Sequence, residues 1–148
     1  MKSAELLSLD DKSWRIVPDM KEARYCFNPC LYGGLIWLCG YGSTNIEAFD
    51  PEANEYLRPI PSAQLPESHF CCTVEHENCL LVVSYGYMTK FKLEGRNLAK
   101  LDERRESVSR TVWQNSNPRV LAGNVYFSEN NAWYAVNIKE GSLTKFKG

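Results

Sequence analysis

Residues 35–57 read LIWLCGYGSTNIEAFDPEANEYL, and this stretch decides the fold class. Leu35–Cys39 is apolar and rich in strand formers, and Gly40-Tyr41-Gly42-Ser43 breaks it. Ile46-Glu47-Ala48-Phe49 alternates apolar and polar residues, the pattern of a half-buried strand. Asp50-Pro51-Glu52-Ala53-Asn54 is a turn, because proline presets φ and an aspartate side chain can bond the backbone ahead of it. Tyr56 and Leu57 begin a third strand.

The unit recurs. Trp14, Tyr56, Lys100 and Lys145 each follow a polar turn, and those turns open at Asp10, Asp50, Glu94 and Lys139. Both sets keep a period of roughly 40–45 residues, the range of four-stranded propeller blades. The first segment holds strands at Leu6–Leu9 and Trp14–Val17, ended by Pro18, which has no N–H to give to a ladder. The second holds Tyr25–Leu31, Leu35–Cys39, Asn45–Phe49 and Glu55–Arg58, followed by a connection stiffened by Pro59, Pro61 and Pro66. The third holds His69–Val74, Cys79–Ser84, Met88–Leu93 and Leu98–Leu101, then a charged loop at Asp102–Ser107. The fourth holds Thr111–Gln114, Asn124–Phe127, Trp133–Val136 and Leu143–Phe146. No helical apolar period is sustained, and short strands with closely spaced turns predict an all-β chain. One domain over 1–148 is expected, divided into a half-blade at 1–20 and blades at 21–63, 64–106 and 107–148. Trp14 and Phe49 are expected to be buried between sheets.

Composition narrows the function classes. The 148 residues suffice for one core, and 44% hydrophobic with 24% charged residues is globular composition. Lys and Arg (17) balance Asp and Glu (18), so no basic face for nucleic acid is expected. No apolar run is long enough for a bilayer helix, and the first residues lack a signal-peptide core. A cytoplasmic location follows as an expectation, with the six cysteines as thiols.

Four features in order resemble a kelch repeat: Arg24 at a strand start, Leu35–Cys39 ending at Gly40, the run Ile46-Glu47-Ala48-Phe49-Asp50-Pro51, and Asn54-Glu55-Tyr56. Leu9-Asp10-Asp11-Lys12-Ser13-Trp14 resembles the end of such a repeat. The resemblance implies a partial kelch-like β-propeller of about three and a half four-stranded antiparallel blades. It further implies a non-enzymatic module that binds a protein partner through blade-tip loops. The alternative is a fragment or subunit of a propeller-fold enzyme acting on carbohydrate or a small oxidisable substrate. Such a count does not close a ring, so the chain is a fragment of a longer protein, pairs with another copy, or forms an open arc.

Chemistry-bearing residues are sparse. His69, Cys71, Cys72, His76 and Cys79 lack the Cys-x-x-Cys knuckle of a zinc site, and Cys71 and Cys72 point to opposite strand faces. Cys26 and Cys30 share a strand face and are read as packing residues. Only His69 and His76 could act as a base, and no nucleophile-elbow motif is present. Gly33-Gly34 and Gly40-x-Gly42 precede no helix and are read as turns, not phosphate cradles. No metal or cofactor is expected. The candidate surface is the loop rim, where tyrosine and arginine suit protein contacts: Arg24, Tyr25, Tyr41, Ser43, His69, Tyr85, Tyr87, Arg105, Arg110 and Asn130.

Overall fold

A computed structural model describes residues 2–24, 29–40, 45–57, 72–84, 87–105, 119–129 and 132–146, without the side chains of Cys72, Ser84, Arg104, Arg105 and Glu129. The described residues are all-β. Their strands are β1 (Ala4–Leu7), β2 (Trp14–Val17), β3 (Cys30–Tyr32), β4 (Leu35–Leu38), β5 (Glu47–Asp50), β6 (Glu55–Tyr56) and β7 (Cys72–His76). They continue with β8 (Cys79–Ser84), β9 (Tyr87–Glu94), β10 (Asn97–Arg105), β11 (Arg119–Leu121), β12 (Asn124–Glu129), β13 (Ala132–Asn137) and β14 (Leu143–Phe146). Four antiparallel meanders result: β1-β2, then four-stranded sheets β3–β6, β7–β10 and β11–β14, each in chain order.

The same turns recur from sheet to sheet. Gly33-Gly34, Glu77-Asn78 and Ala122-Gly123 each join a first strand to a second as two-residue loops with φ positive at both positions. Such turns match the right-handed twist of the strands they connect. Gly33 has a second constraint, since a β-carbon there would collide with the Leu93 side chain of the neighbouring sheet. The turn from third to fourth strand repeats as well. Asp50 Oδ1 accepts the N–H groups of Glu52 and Ala53, both at 3.0 Å, and Asn54 has φ 55°. Asn137 Oδ1 accepts those of Lys139 and Glu140, both at 2.9 Å, and Gly141 has φ 69°. In the first sheet Lys12 takes the same place, with φ 55°, and Ser8 N–H donates to Ser13 O as Asn137 N–H donates to Ser142 O.

The sheets stack face to face in chain order. Tyr32, Leu35, Trp37, Ile46 and Ala48 of the second sheet pack against Leu80, Val82, Phe91 and Leu98 of the third. The other face of the third sheet, through Val74, Leu81, Val83 and Met88, packs on Val125, Phe127, Val136 and Ile138 of the fourth. The first sheet lies on the far side of the second, where Leu6, Val17 and Met20 line an apolar cleft of about 330 Å³ with Leu38 and Phe49. Between sheets, first strands meet: β3 contacts β7, and β7 contacts β11. Tyr32 ties this edge together, its hydroxyl donating to Asn78 O at 2.9 Å and accepting from Leu93 N–H at 3.0 Å.

Three sequence expectations change. Residues 102–105 are not a loop: β10 runs on through them, paired with residues 87–90, after a bulge between Lys100 and Asp102 that absorbs the irregular pattern. The fourth sheet takes its first strand from Arg119–Leu121, which pairs with residues 124–126, while Thr111–Gln114 lies outside the described residues. Phe49 is buried, but Trp14 is 66% exposed, because it stands on the outward face of the first sheet and no described sheet covers that face.

Candidate binding rim

The turns at Gly33-Gly34, Glu77-Asn78 and Ala122-Gly123 gather at one end of the stack, linked by the Tyr32–Asn78 bond and by a shared cleft. The opposite ends of the same strands therefore form the other end: Leu38 and Glu47, Ser84 and Tyr87, Glu129 and Ala132. The rim belongs to this second end. Of the rim residues expected from sequence, Tyr25, Tyr41, Ser43, His69, Tyr85, Arg110 and Asn130 lie outside the described residues. Tyr87 and Arg105 are brought together as register partners at the start of β9 and the end of β10, and Tyr87 is half-buried.

Arg24 is also near this end, but its side chain points inward. It is 1% exposed, as is Glu47. Its Nη1 donates to Asn45 O at 2.8 Å and its Nη2 lies 3.3 Å from Glu47 Oε2. Glu47 Oε1 accepts the Lys21 N–H at 2.7 Å, and Asn45 Nδ2 donates to Glu22 Oε1 at 2.8 Å. Lys21 Nζ reaches Leu57 O at 2.9 Å. This network fastens the 21–24 segment, which leads from the first sheet to the second, onto β5. Arg24 Nε is buried with no hydrogen-bond partner, so the guanidinium is held by its two Nη groups. Arg24 therefore secures the 21–24 segment from within and, being buried, is not the surface contact residue expected from sequence. Glu47 was missed in the sequence as its partner, and its signal was an acid inside an otherwise apolar strand run.

At the turn end a cleft of about 550 Å³ opens between the third and fourth sheets, lined by His76, Glu77, Lys90, Asp102 and Lys139 over Leu81 and Met88. His76 Nε2 lies 3.7 Å from Glu77 Oε1. The described lining contains no serine, threonine or cysteine. Cys30 and Cys79 are free thiols and Cys39 is buried, and burial raises the Cys30 pKa above its ordinary 9.0, which favours the protonated thiol. Among the described residues no three His, Cys, Asp or Glu side chains converge as metal ligands. His69 and Cys71 of the sequence cluster lie outside those residues, and His76 and Cys79 stand opposite each other across the β7–β8 turn. Among the described residues no helix is long and apolar enough to cross a membrane.

No protein-family model matches the chain, and no curated protein matches it.

Proposed function

We propose that the chain is a partial kelch-like β-propeller, about three and a half blades, acting as a non-enzymatic module that binds a protein partner through the loops at its rim. The observation that carries this reading is the repeated geometry. Three sheets with the same strand order and the same first turn meet at their first strands, so their second-to-third connections issue from one common end. That is how radially arranged sheets assemble a composite surface from short loops. The Tyr87–Arg105 pair stands on that end, and both residue types are favoured at contact hot spots. The balanced charge supports a protein partner over nucleic acid, whose phosphates call for a basic face.

Affinity capture from cell extract tests it, comparing the unaltered chain with Tyr87→Ala/Arg105→Ala at the rim and Glu77→Ala/Lys139→Ala at the opposite end. The expected result is a specifically bound protein lost with the rim pair and retained with the other. Retention by the rim variant, or loss with the opposite-end variant alone, would overturn the assignment of the rim.

A further inference from the structure

The two outermost sheets carry apolar side chains on faces that no described residue covers. In the first sheet, register places Leu7, Trp14 and Ile16 on the outward face together with Glu5. Trp14 is 66% and Ile16 81% exposed. In the last sheet the outward face holds Leu121, Tyr126, Trp133 and Phe146, with Arg119 beside them. Leu121 is 68% and Trp133 56% exposed, and the Tyr126 and Phe146 rings stack at 6.2 Å. Exposed apolar residues scattered singly are ordinary; here they are grouped, one group on each end face of the stack, as at sites of association. Inside the stack, faces with this composition are covered by the next sheet.

We propose that the outward face of β1-β2 docks on the outward face of β11–β14 in a second copy of this chain, and that two copies close by making this contact twice. Two observations favour a copy of the same chain joined first face to last face. The faces complement each other: one is aliphatic with Trp14 and an acid, the other aromatic with an arginine. Pairing like faces would leave the unlike pair in water, whereas first-to-last contact made twice covers all four. The area is sufficient: a large aromatic side chain buries about 150–250 Å², and with Leu7, Trp14 and Ile16 on one face and Leu121, Trp133 and Phe146 on the other, each face offers roughly 300–400 Å² of apolar surface. Two such contacts bury about 1,200–1,600 Å² in total, the size of a stable interface.

The contact uses sheet faces and none of the rim residues, so it stands independently of the partner-binding reading. The test is solution mass by light scattering at high micromolar concentration, on the unaltered chain and on Ile16→Glu and Trp133→Lys. Both positions are exposed, and circular dichroism checks that each variant keeps its strands. The expected mass of the unaltered chain is twice 16.9 kDa. Each variant is expected to be monomeric, and an equimolar mixture to return to the dimer mass. In the mixed dimer one contact is unaltered, and the other sets the introduced carboxylate against the introduced ammonium, which attract. A monomeric unaltered chain would overturn the proposal. So would a dimer abolished by only one of the variants, which marks pairing of like faces, or a mixture that stays monomeric. Tyr87→Ala/Arg105→Ala leaves the mass unchanged, which separates failure of this contact from failure of the rim.

Discussion

Strands β8 and β12 are each the second strand of a four-stranded sheet, yet they read differently. In β8, Leu80 and Val82 face the second sheet while Leu81 and Val83 face the fourth, and all four are almost wholly buried. Among the described side chains of β12 only Val125 and Phe127 are fully buried, and Tyr126 and Ser128 point the other way, half-buried and exposed. A strand between two sheets needs apolar residues at every position, whereas a strand with one neighbour alternates. The difference marks the third sheet as interior and the fourth as an end of the stack. Against that rule, the outward face of the fourth sheet still carries Trp133, Phe146 and Leu121, as the outward face of the first carries Trp14 and Ile16. The ends are patterned halfway between an interior sheet and a solvated one.

The sharpest way to break the contrast is to remove one aromatic ring from each place. Phe91 lies in the core between the second and third sheets with no exposure, so Phe91→Ala should cost about 3–5 kcal/mol through lost transfer energy and the cavity left behind. Trp14→Ala, at two-thirds exposure, should cost under about 1 kcal/mol, as surface changes do. Urea unfolding of dilute protein, where copies are apart, compares them. Equal losses at the two sites would mean that the end face is covered within one chain.

The second comparison concerns buried charge. The Arg24–Glu47 pair sits inside the join between the first two sheets. Removing one member of a buried pair strands the other, at about 3–5 kcal/mol, whereas replacing both by apolar residues of similar size can be nearly neutral. Glu47→Ala is therefore expected to destabilise by roughly 3 kcal/mol, somewhat less than the core ring, because Asn45 O still accepts from the guanidinium. The double variant Arg24→Met/Glu47→Leu should recover most of the loss. If Glu47→Ala unfolds like the unaltered chain, this pair does not hold the 21–24 segment onto β5.

The all-β class and the repeat were legible because strand and turn signals are local. Cys79–Ser84 and Leu143–Phe146 coincide with their expected bounds, since a polar turn precedes each, Glu77-Asn78 before the first and residues 138–142 before the second. The alternation break between Lys100 and Asp102 hid the length of β10, because a bulge changes which residues face inward without changing the strand. The fourth turn was set at Lys139, two residues late: its anchor is Asn137, which makes the same two backbone bonds as Asp50 but lacks the Asp-Pro signature. Arg24 looked like a contact residue because arginine is rarely buried. Its pairing with Glu47 joins the 21–24 segment to β5 across 23 positions of sequence, and the sequence signals only the acid within the apolar run, not its partner. Trp14 failed for the opposite reason: it opens the strand after a turn, as expected, but no described sheet covers the face on which it stands.

The smallest expected effect distinguishes the two copies of that turn. Asp50 and Asn137 make equivalent bonds, but only Asp50 titrates, and only Asp50 meets a cation from the next sheet, Arg96. The Ala53 N–H first, then the Glu52 N–H and Arg96, hold the Asp50 carboxyl below its ordinary value of 3.8. A carboxyl lowered in the folded state adds stability that is fully present above 3.8 and is lost as pH falls through the folded value. Asp50→Asn keeps an oxygen for the two backbone bonds and removes the titration. Its melting temperature should therefore sit slightly below that of the unaltered chain at pH 6 and converge with it as the medium is acidified below 3.8. Replacing Asn137 with alanine removes the cap but no charge, so it should lower the melting temperature by the same amount at both pH values. A gap for Asp50→Asn that stays constant across this range would show that the interior turn, like the terminal one, is held by its backbone bonds alone and that the Arg96 contact contributes nothing to the join between the second and third sheets.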